Sequence, residues 1–246
     1  MSEKINTSQR LHEALGKWIA GLETGDRLPA EPSLAKQLGV SRATLREAMR
    51  TFETQGLIHR RQGSGTYVTR PSRVIESGME VLESLDTLAG RINLPMTAGE
   101  RWIASRTATP TEAQALGIAP DSQVLVVSRV ILVEGHAAAY LIDILPEDVL
   151  SAEELGENFT GSVLDVLLRR RTPELSSSRC DITATTASAD VARAMSIQRG
   201  DVLLCFEAYL YAMDGRVVDY SFSYFLPGHF RFHVVRRIMQ EFHREL

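Results

Sequence analysis

Cysteine is scarce in this chain: Cys180 and Cys205 are the only two in 246 residues, and they have no metal-ligand spacing. A disulfide scaffold and a cysteine-built metal site are therefore excluded. Long apolar runs are missing as well, since none approaches the roughly 20 residues needed to cross a bilayer. The N-terminus has no basic, apolar, small-residue leader. A cytoplasmic, reducing setting and no place in the membrane are the expectation. With 44% hydrophobic and 24% charged residues, little room is left for extended disorder, and the length suffices for two domains with their own cores. The net charge of −4 conceals an asymmetry. Residues 1–71 carry 11 Lys/Arg against 7 Asp/Glu, a net of +4, while the remainder carries 16 against 24, a net of −8. The N-terminal part can approach a polyanion that the rest would repel.

The basic part reads as three helices and a hairpin. Leu11, Ala14, Leu15, Trp18, Ile19 and Leu22 repeat at helical spacing and predict a first helix with one buried stripe. TGDRLPAEPS then breaks the chain. Pro32 suits the first turn of a short second helix with Leu34, Ala35 and Leu38 inward, which Gly39 ends. Ser41 can cap a third helix whose core face is Leu45, Ala48, Met49 and Phe52. Arg42, Arg46 and Arg50 stand four apart beside that face. Pairing with Glu47 and Glu53 accounts for Arg50 as readily as function does. Arg42 differs, because two short helices separated by GVS form the arrangement whose second helix enters a DNA major groove by its N-terminal end. There Arg42 and Arg46 can bond guanine edges or phosphates, with Thr44 beside them. Beyond Gly56, LIHRRQ and TYVTR read as strands flanking GSG. A phosphate loop of the Walker type needs a lysine between the second glycine and a Ser/Thr, then a helix; here Thr66 follows Gly65 directly and a strand-like TYV comes next.

LPAEPSLAKQLGVSRATLREAMRTFETQGLIHRRQGSGTYV resembles the winged helix-turn-helix of the GntR family of bacterial transcription regulators, over residues 8–69. The resemblance implies DNA contacts by Ser41, Arg42, Thr44 and Arg46 in the recognition helix and by Gln62, Gly63, Ser64 and Gly65 in the wing. Family members usually place an arginine after LP(A/S)E, where this chain has Pro32.

After RPSR, the stretch VIESGMEVLESLDTLAG reads as a linker and a helical segment with Val74, Val81, Leu85 and Leu88 on its packing face. Residues 116–146 can then be laid over residues 195–227 with small slips. Each unit is a short helix, a turn, an apolar strand, a Gly-centred hairpin turn and a return strand ending in Leu-Pro. Two such units predict an antiparallel sheet of pseudo-twofold character with helices on one face. Between them Ser162 can cap a helix with Val163, Val166 and Leu167 inward, whose N-terminus is a natural site for a polar or anionic ligand.

This half resembles the effector-binding (UTRA) domain of the HutC subfamily of GntR regulators, whose fold is like chorismate lyase, over about residues 95–240. The division expected is a winged-helix domain at 1–70, a linker at 71–94 and an effector and dimerisation domain at 95–246, an α+β protein overall. The resemblance implies a pocket for a small metabolite, often a sugar, a sugar phosphate or an amino acid derivative. Arg129 matches the first arginine of the family's RxR pattern, Ser162 the serine at the helix start and Asp219 the acidic residue of the second return strand. Ile131 replaces the second arginine and Leu164 an aromatic residue, which points away from a phosphate and toward a neutral or differently charged polar ligand. Tyr140, Asp143, Ser221 and Tyr224 are further candidates for the pocket lining.

His229 and His233 are spaced as a helical metal pair, but GHFRFHVV alternates as a strand does and no third ligand is spaced with them. Asp143 and Asp219 could form an acid/base pair, yet no nucleophile motif accompanies them, so acceptance of a ligand hydroxyl is the expected role. Two functions compete: a dimeric, metabolite-controlled repressor acting on a palindromic operator without a cofactor, and an enzyme on a lyase-like fold with an added nucleic-acid module.

Overall fold

The structure, a computed structural model, describes residues 7–54, 57–61, 64–68, 74–156, 159 and 161–236. It opens with α1 (Thr7–Ala20), α2 (Glu31–Leu38) and α3 (Arg42–Thr54), followed by a hairpin of β1 (Ile58–Arg61) and β2 (Gly65–Val68). Local chemistry sets these boundaries. A proline sits in the first turn of α2, and Gly39 ends it in the left-handed region at φ 67°. The Thr44 N–H donates to Ser41 Oγ at 3.1 Å, which caps α3. Leu15, Ile19, Leu34, Leu45, Met49, Phe52, Ile58 and Val68 close one core among these elements. Trp18, expected in the stripe of α1, stands at its margin and is 40% exposed. The hairpin is stitched to the loop before α2 by Leu28 N–H to Thr66 O and Val68 N–H to Asp26 O, at 2.8 and 2.7 Å. That loop therefore sets the height of the wing above α3.

The acidic half is built on one six-stranded antiparallel sheet. Its strands are β4 (Met96–Thr107), β5 (Gln123–Val133), β6 (His136–Pro146), β7 (Leu175–Thr186), β8 (Val202–Ala212) and β9 (Val217–Phe225). They run in the order β4-β5-β6-β9-β8-β7. This order reads the same from either edge, with the pseudo-twofold between β6 and β9, as the internal repeat requires. The helices α5 (Pro110–Leu116) and α8 (Ala189–Met195) occupy equivalent places in the two units. Both start at a side-chain cap, Thr109 or Ser188, and both end on a left-handed residue, Gly117 or Ser196.

These two helices share one sheet face. Leu116 packs with Val124, Ile144 and Tyr220, and Met195 packs with Leu203, Tyr140 and Tyr224. The opposite face is also covered, which corrects the expectation of helices on one face only. There α6 (Ala152–Leu155) and α7 (Val163–Arg170) bury Leu155, Val163 and Leu167 against Leu125, Leu145 and Leu210. Part of the stretch expected as a linker has structure of its own. It holds β3 (Ile75–Gly78) and α4 (Leu85–Arg91), and β3 pairs in parallel with β10 (Phe230–His233). Ile75, Leu88 and Ala89 join Val133 and Ala138 in a common core. Val81, expected on the packing face, is 65% exposed.

Candidate functional site

On the N-terminal module, Ser41, Arg42, Thr44 and Arg46 all lie exposed along the first turns of α3. Ser41 Oγ both caps the helix and lies 2.8 Å from Thr44 Oγ1, so the two hydroxyls hold each other in place. Arg46 Nε donates to Glu31 Oε2 at 2.6 Å, and Arg60 Nε comes within 3.7 Å of the same carboxylate. One carboxylate from the start of α2 thus orients a cation of α3 and a cation of the wing. In the wing, Ser64 Oγ lies 2.7 Å from Tyr67 OH. Gly65 has φ +125°, a backbone conformation that side-chain-bearing residues rarely adopt, and the Arg27 guanidinium lies over the space a Cβ would take. Gln62 and Gly63 fall outside the described residues.

Motif reading does not find Arg27. It lies just before LPAE in sequence and pairs as a bridge with Tyr67. Its exposed guanidinium lies against Gly65 of the wing, and adds a cation there to the exposed Arg42 and Arg46 of α3. Such a surface favours phosphates.

In the C-terminal half a cavity of 620 Å³ opens on the sheet face under α7. Strand alternation aims Arg129 of β5, Asp143 of β6, and Asp219 and Ser221 of β9 into it, and Ser162 joins them from the start of α7. Arg129 is 5% exposed and forms an ion pair with Asp143, which stands directly across from Ser221 in the β6–β9 register. Asp219 is 6% exposed, and its Oδ1 accepts the Ile144 N–H at 3.2 Å. Burial, then the nearby charge of Asp143, holds the Asp219 carboxyl well above the usual carboxylate range. Ser162 Oγ accepts the Asp165 N–H at 3.2 Å, so it caps α7 as well as lining the cavity.

Tyr140 and Tyr224 need correcting. They pair across β6 and β9 with stacked rings 6.5 Å apart, on the opposite face of the sheet from the cavity. Side chains on a strand alternate, and Tyr140 and Tyr224 stand one residue out of phase with Asp143 and Ser221. Burial first, then the adjacent Cys205, pushes the Tyr224 hydroxyl up to about 12. Ile131, at the second position of RxR, sits with Leu141 and Phe225 in an apolar cluster. Leu164 lines the cavity.

Three features of the cavity escape the sequence. Its remaining side is made by residues 77–85, which lie in sequence between the wing and the sheet. Ser84 Oγ donates to Asp165 Oδ2 at 2.8 Å and caps α4, tying this segment to the start of α7. Asp86 lies close to Asp165 and Arg129, and burial followed by the charge of Asp165 raises its carboxyl above its ordinary value. The ES-x-MEVLES-x-D spelling of this stretch carries no motif that would place those groups at a site.

Cys180 lines the cavity, but burial and Asp181 push its thiol up to about 11, the reverse of what a nucleophile needs. Among the described residues no group of three His, Cys, Asp or Glu is placed to hold a metal; His229 directly precedes β10 and His233 is its last residue. No helix among them is long and apolar enough to cross a membrane.

Comparison with known proteins agrees with both halves. Residues 7–68 match the family model of bacterial regulatory proteins of the gntR family, and residues 93–231 match that of the UTRA domain. The HTH-type transcriptional repressor NagR of Bacillus subtilis is 28% identical over 209 residues, covering 83% of each chain. The HTH-type transcriptional regulator Rv0792c of Mycobacterium tuberculosis is 27% identical over 238 residues, 94% of this chain and 86% of that one. Among solved structures, PhnF from Mycobacterium smegmatis superposes with a TM-score of 0.62 at 22% identity, covering 93% of this chain and all of that one. These relatives are regulators, so the enzyme reading falls. The chain belongs to the GntR family of bacterial transcription regulators, in the group that joins a DNA-binding helix-turn-helix to a UTRA domain for a small-molecule effector.

Proposed function

We propose that this protein is a repressor that acts as a homodimer on a palindromic operator, and that a small metabolite bound by Arg129, Asp143, Ser162, Asp219 and Ser221 controls it from the C-terminal cavity. Arg42, Arg46 and Thr44 read the operator from α3, capped by Ser41, while Ser64 and Gly65 carry the wing to the backbone. The similarity to the repressor NagR supports the repressor sense. The observation that carries the control mechanism is the wall of the cavity formed by residues 77–85. A ligand seated there touches the chain on its way to the wing, so it has different contacts in different placements of that segment, which is what coupling between two sites requires. Ligands of sugar size fit the volume and the hydroxyl-bearing lining. The division into 1–70, 71–94 and 95–246 stands in this reading, with the second piece acting as the transmitter.

The partner protomer is assigned to the sheet face opposite the cavity, where Trp102 stands exposed beside Tyr140, Phe222 and Tyr224. One exposed aromatic side chain beside three half-buried ones suits the core of an interface. Trp102→Glu is expected to shift sedimentation from dimer toward monomer at micromolar concentration without loss of secondary structure. An unchanged dimer would move the interface elsewhere.

Control is tested by pairing two assays. Metabolites that raise the melting temperature of the purified protein bind its folded state, and they should change its affinity for operator DNA by about 5–150-fold. Ser84→Ala, which cuts the bond to Asp165, is expected to shrink that change while leaving ligand-free DNA binding as it was. Ligands that stabilise the protein but leave DNA affinity untouched would sink the mechanism.

A further inference from the structure

The cavity has the wrong charge for a phosphorylated or carboxylated effector. Among the described residues its lining contains one cation, Arg129, against Asp143, Asp219, Glu80 and Glu83. Asp143 already occupies Arg129 in a buried ion pair. Glu83 is engaged by Arg91, and Glu80 accepts the Val235 N–H. Asp219 remains, 6% exposed, with one oxygen on the Ile144 N–H, hydrogen-bonded to Asp143 as well, and with no ion pair of its own among the described residues. The start of α7, where a helix N-terminus would ordinarily welcome an anion, is held by this chain's own Asp165, with Asp86 beside it. An incoming phosphate would face the Asp143 carboxylate beside Asp219, and would find the one guanidinium among the described lining residues already paired. The second cation of the RxR pattern is replaced by Ile131, which lies in an apolar cluster.

Other lining groups describe the rest of the ligand. Ser176, Ser177, Ser178, Ser221 and Ser223 supply hydroxyls along β7 and β9, and Phe206, Phe225 and Phe232 supply aromatic surface. Hydroxyls both donate and accept, so they suit a polyhydroxylated or amide-bearing body. Aromatic faces suit a cation or a C–H edge.

We propose that the effector of this protein is a hydroxylated molecule bearing a protonated amine, which is seated against the adjoining Asp219 and Asp143, and that phosphorylated metabolites are excluded. This rests on the reading of the cavity as the effector site. Arg129 positions Asp143 for the ammonium. Asp219 gives up a proton when the cation arrives, since a buried carboxyl without a cation keeps its proton and one beside an ammonium does not. Binding of the amine therefore strengthens as pH rises and releases a proton, whereas binding of a neutral ligand does neither.

The test is a panel of amino sugars, amino alcohols and amino acid amides, each offered with its N-acetylated and its phosphorylated partner, read by melting temperature and calorimetry on the full-length protein. The expected result is binding by at least one free amine, weakened about thirtyfold or more on N-acetylation, as loss of a buried charge partner predicts. Its phosphate ester binds more weakly than the parent. Heats measured in two buffers of different ionisation enthalpy show a released proton. Asp219→Asn keeps the fold and loses the amine, and Leu164→Lys, which adds a cation to the lining, loses the amine and accepts the phosphate ester. Tighter binding of a phosphorylated or N-acetylated member overturns the proposal while leaving the cavity as the effector site. Silence across all three classes counts against the cavity itself.

Discussion

Replacing Arg129 by Met is expected to destabilise the C-terminal domain by about 3–5 kcal/mol, the cost of stranding a buried charge by removing its partner. Arg129 is 5% exposed, and the only side-chain carboxylate paired with it among the described residues is Asp143, itself next to Asp219. Removal leaves two buried acidic groups in contact and no cation to offset either. The winged helix has a core of its own, separate from the clusters of the sheet domain, so the loss should appear in the unfolding transition of the sheet domain and spare that of the winged helix. Adding Asp143→Leu to the Met variant should recover most of the loss, because the orphaned carboxylate is then gone as well. Urea unfolding followed at two wavelengths decides the matter. If the single variant unfolds like the wild type, the ion pair is a minor interaction and the charge logic of the cavity collapses with it.

Arg42→Ala is expected to weaken specific DNA binding by about 1–3 kcal/mol for each base edge that the guanidinium bonds, which corresponds to roughly 5–150-fold. Stability should stay near that of the wild type, since Arg42 is exposed at the first position of α3 and Leu45 and Met49 carry the packing of that helix. Binding to random duplex should fall much less, because phosphate attraction is shared with Arg27, Arg46 and the wing. Anisotropy titrations of specific and random duplexes at two salt concentrations separate these effects. Equal weakening on both would make Arg42 a phosphate-binding residue with no part in sequence reading, and loss of the fold would make it structural.

The winged helix is legible in the sequence because its signals are local. Pro32, Gly39 and Ser41 each act on their own turn, and the hydrophobic period of α3 agrees with them. The pseudo-twofold of the sheet is legible for a different reason: the same order of helix, strand, turn and strand occurs twice, and only a symmetric strand order satisfies both copies. Faces are harder to read. YSFSYF, residues 220–225, alternates aromatic and hydroxyl side chains, and with core on both sides of the sheet neither set is marked as outward. Composition alone therefore groups Tyr224 with Ser221, although register puts them on opposite faces. The pairing of β3 with β10, which joins Ile75 to Phe230, spans most of the chain and leaves no local trace. For the same reason the sequence does not place Ser84 at the cavity, because the contact that holds it there is with Asp165, far along the chain.

Whether this chain reads DNA as a symmetric pair of recognition helices is tested most directly by selecting duplexes from a random pool with the purified full-length protein at physiological salt, followed by sedimentation of the complex. An enriched inverted repeat is expected, with half-sites about one helical turn apart or a multiple of it, bound by two chains and no longer enriched with Arg42→Ala. Enrichment of a single asymmetric site by one chain, or no enrichment over random sequence, would contradict it.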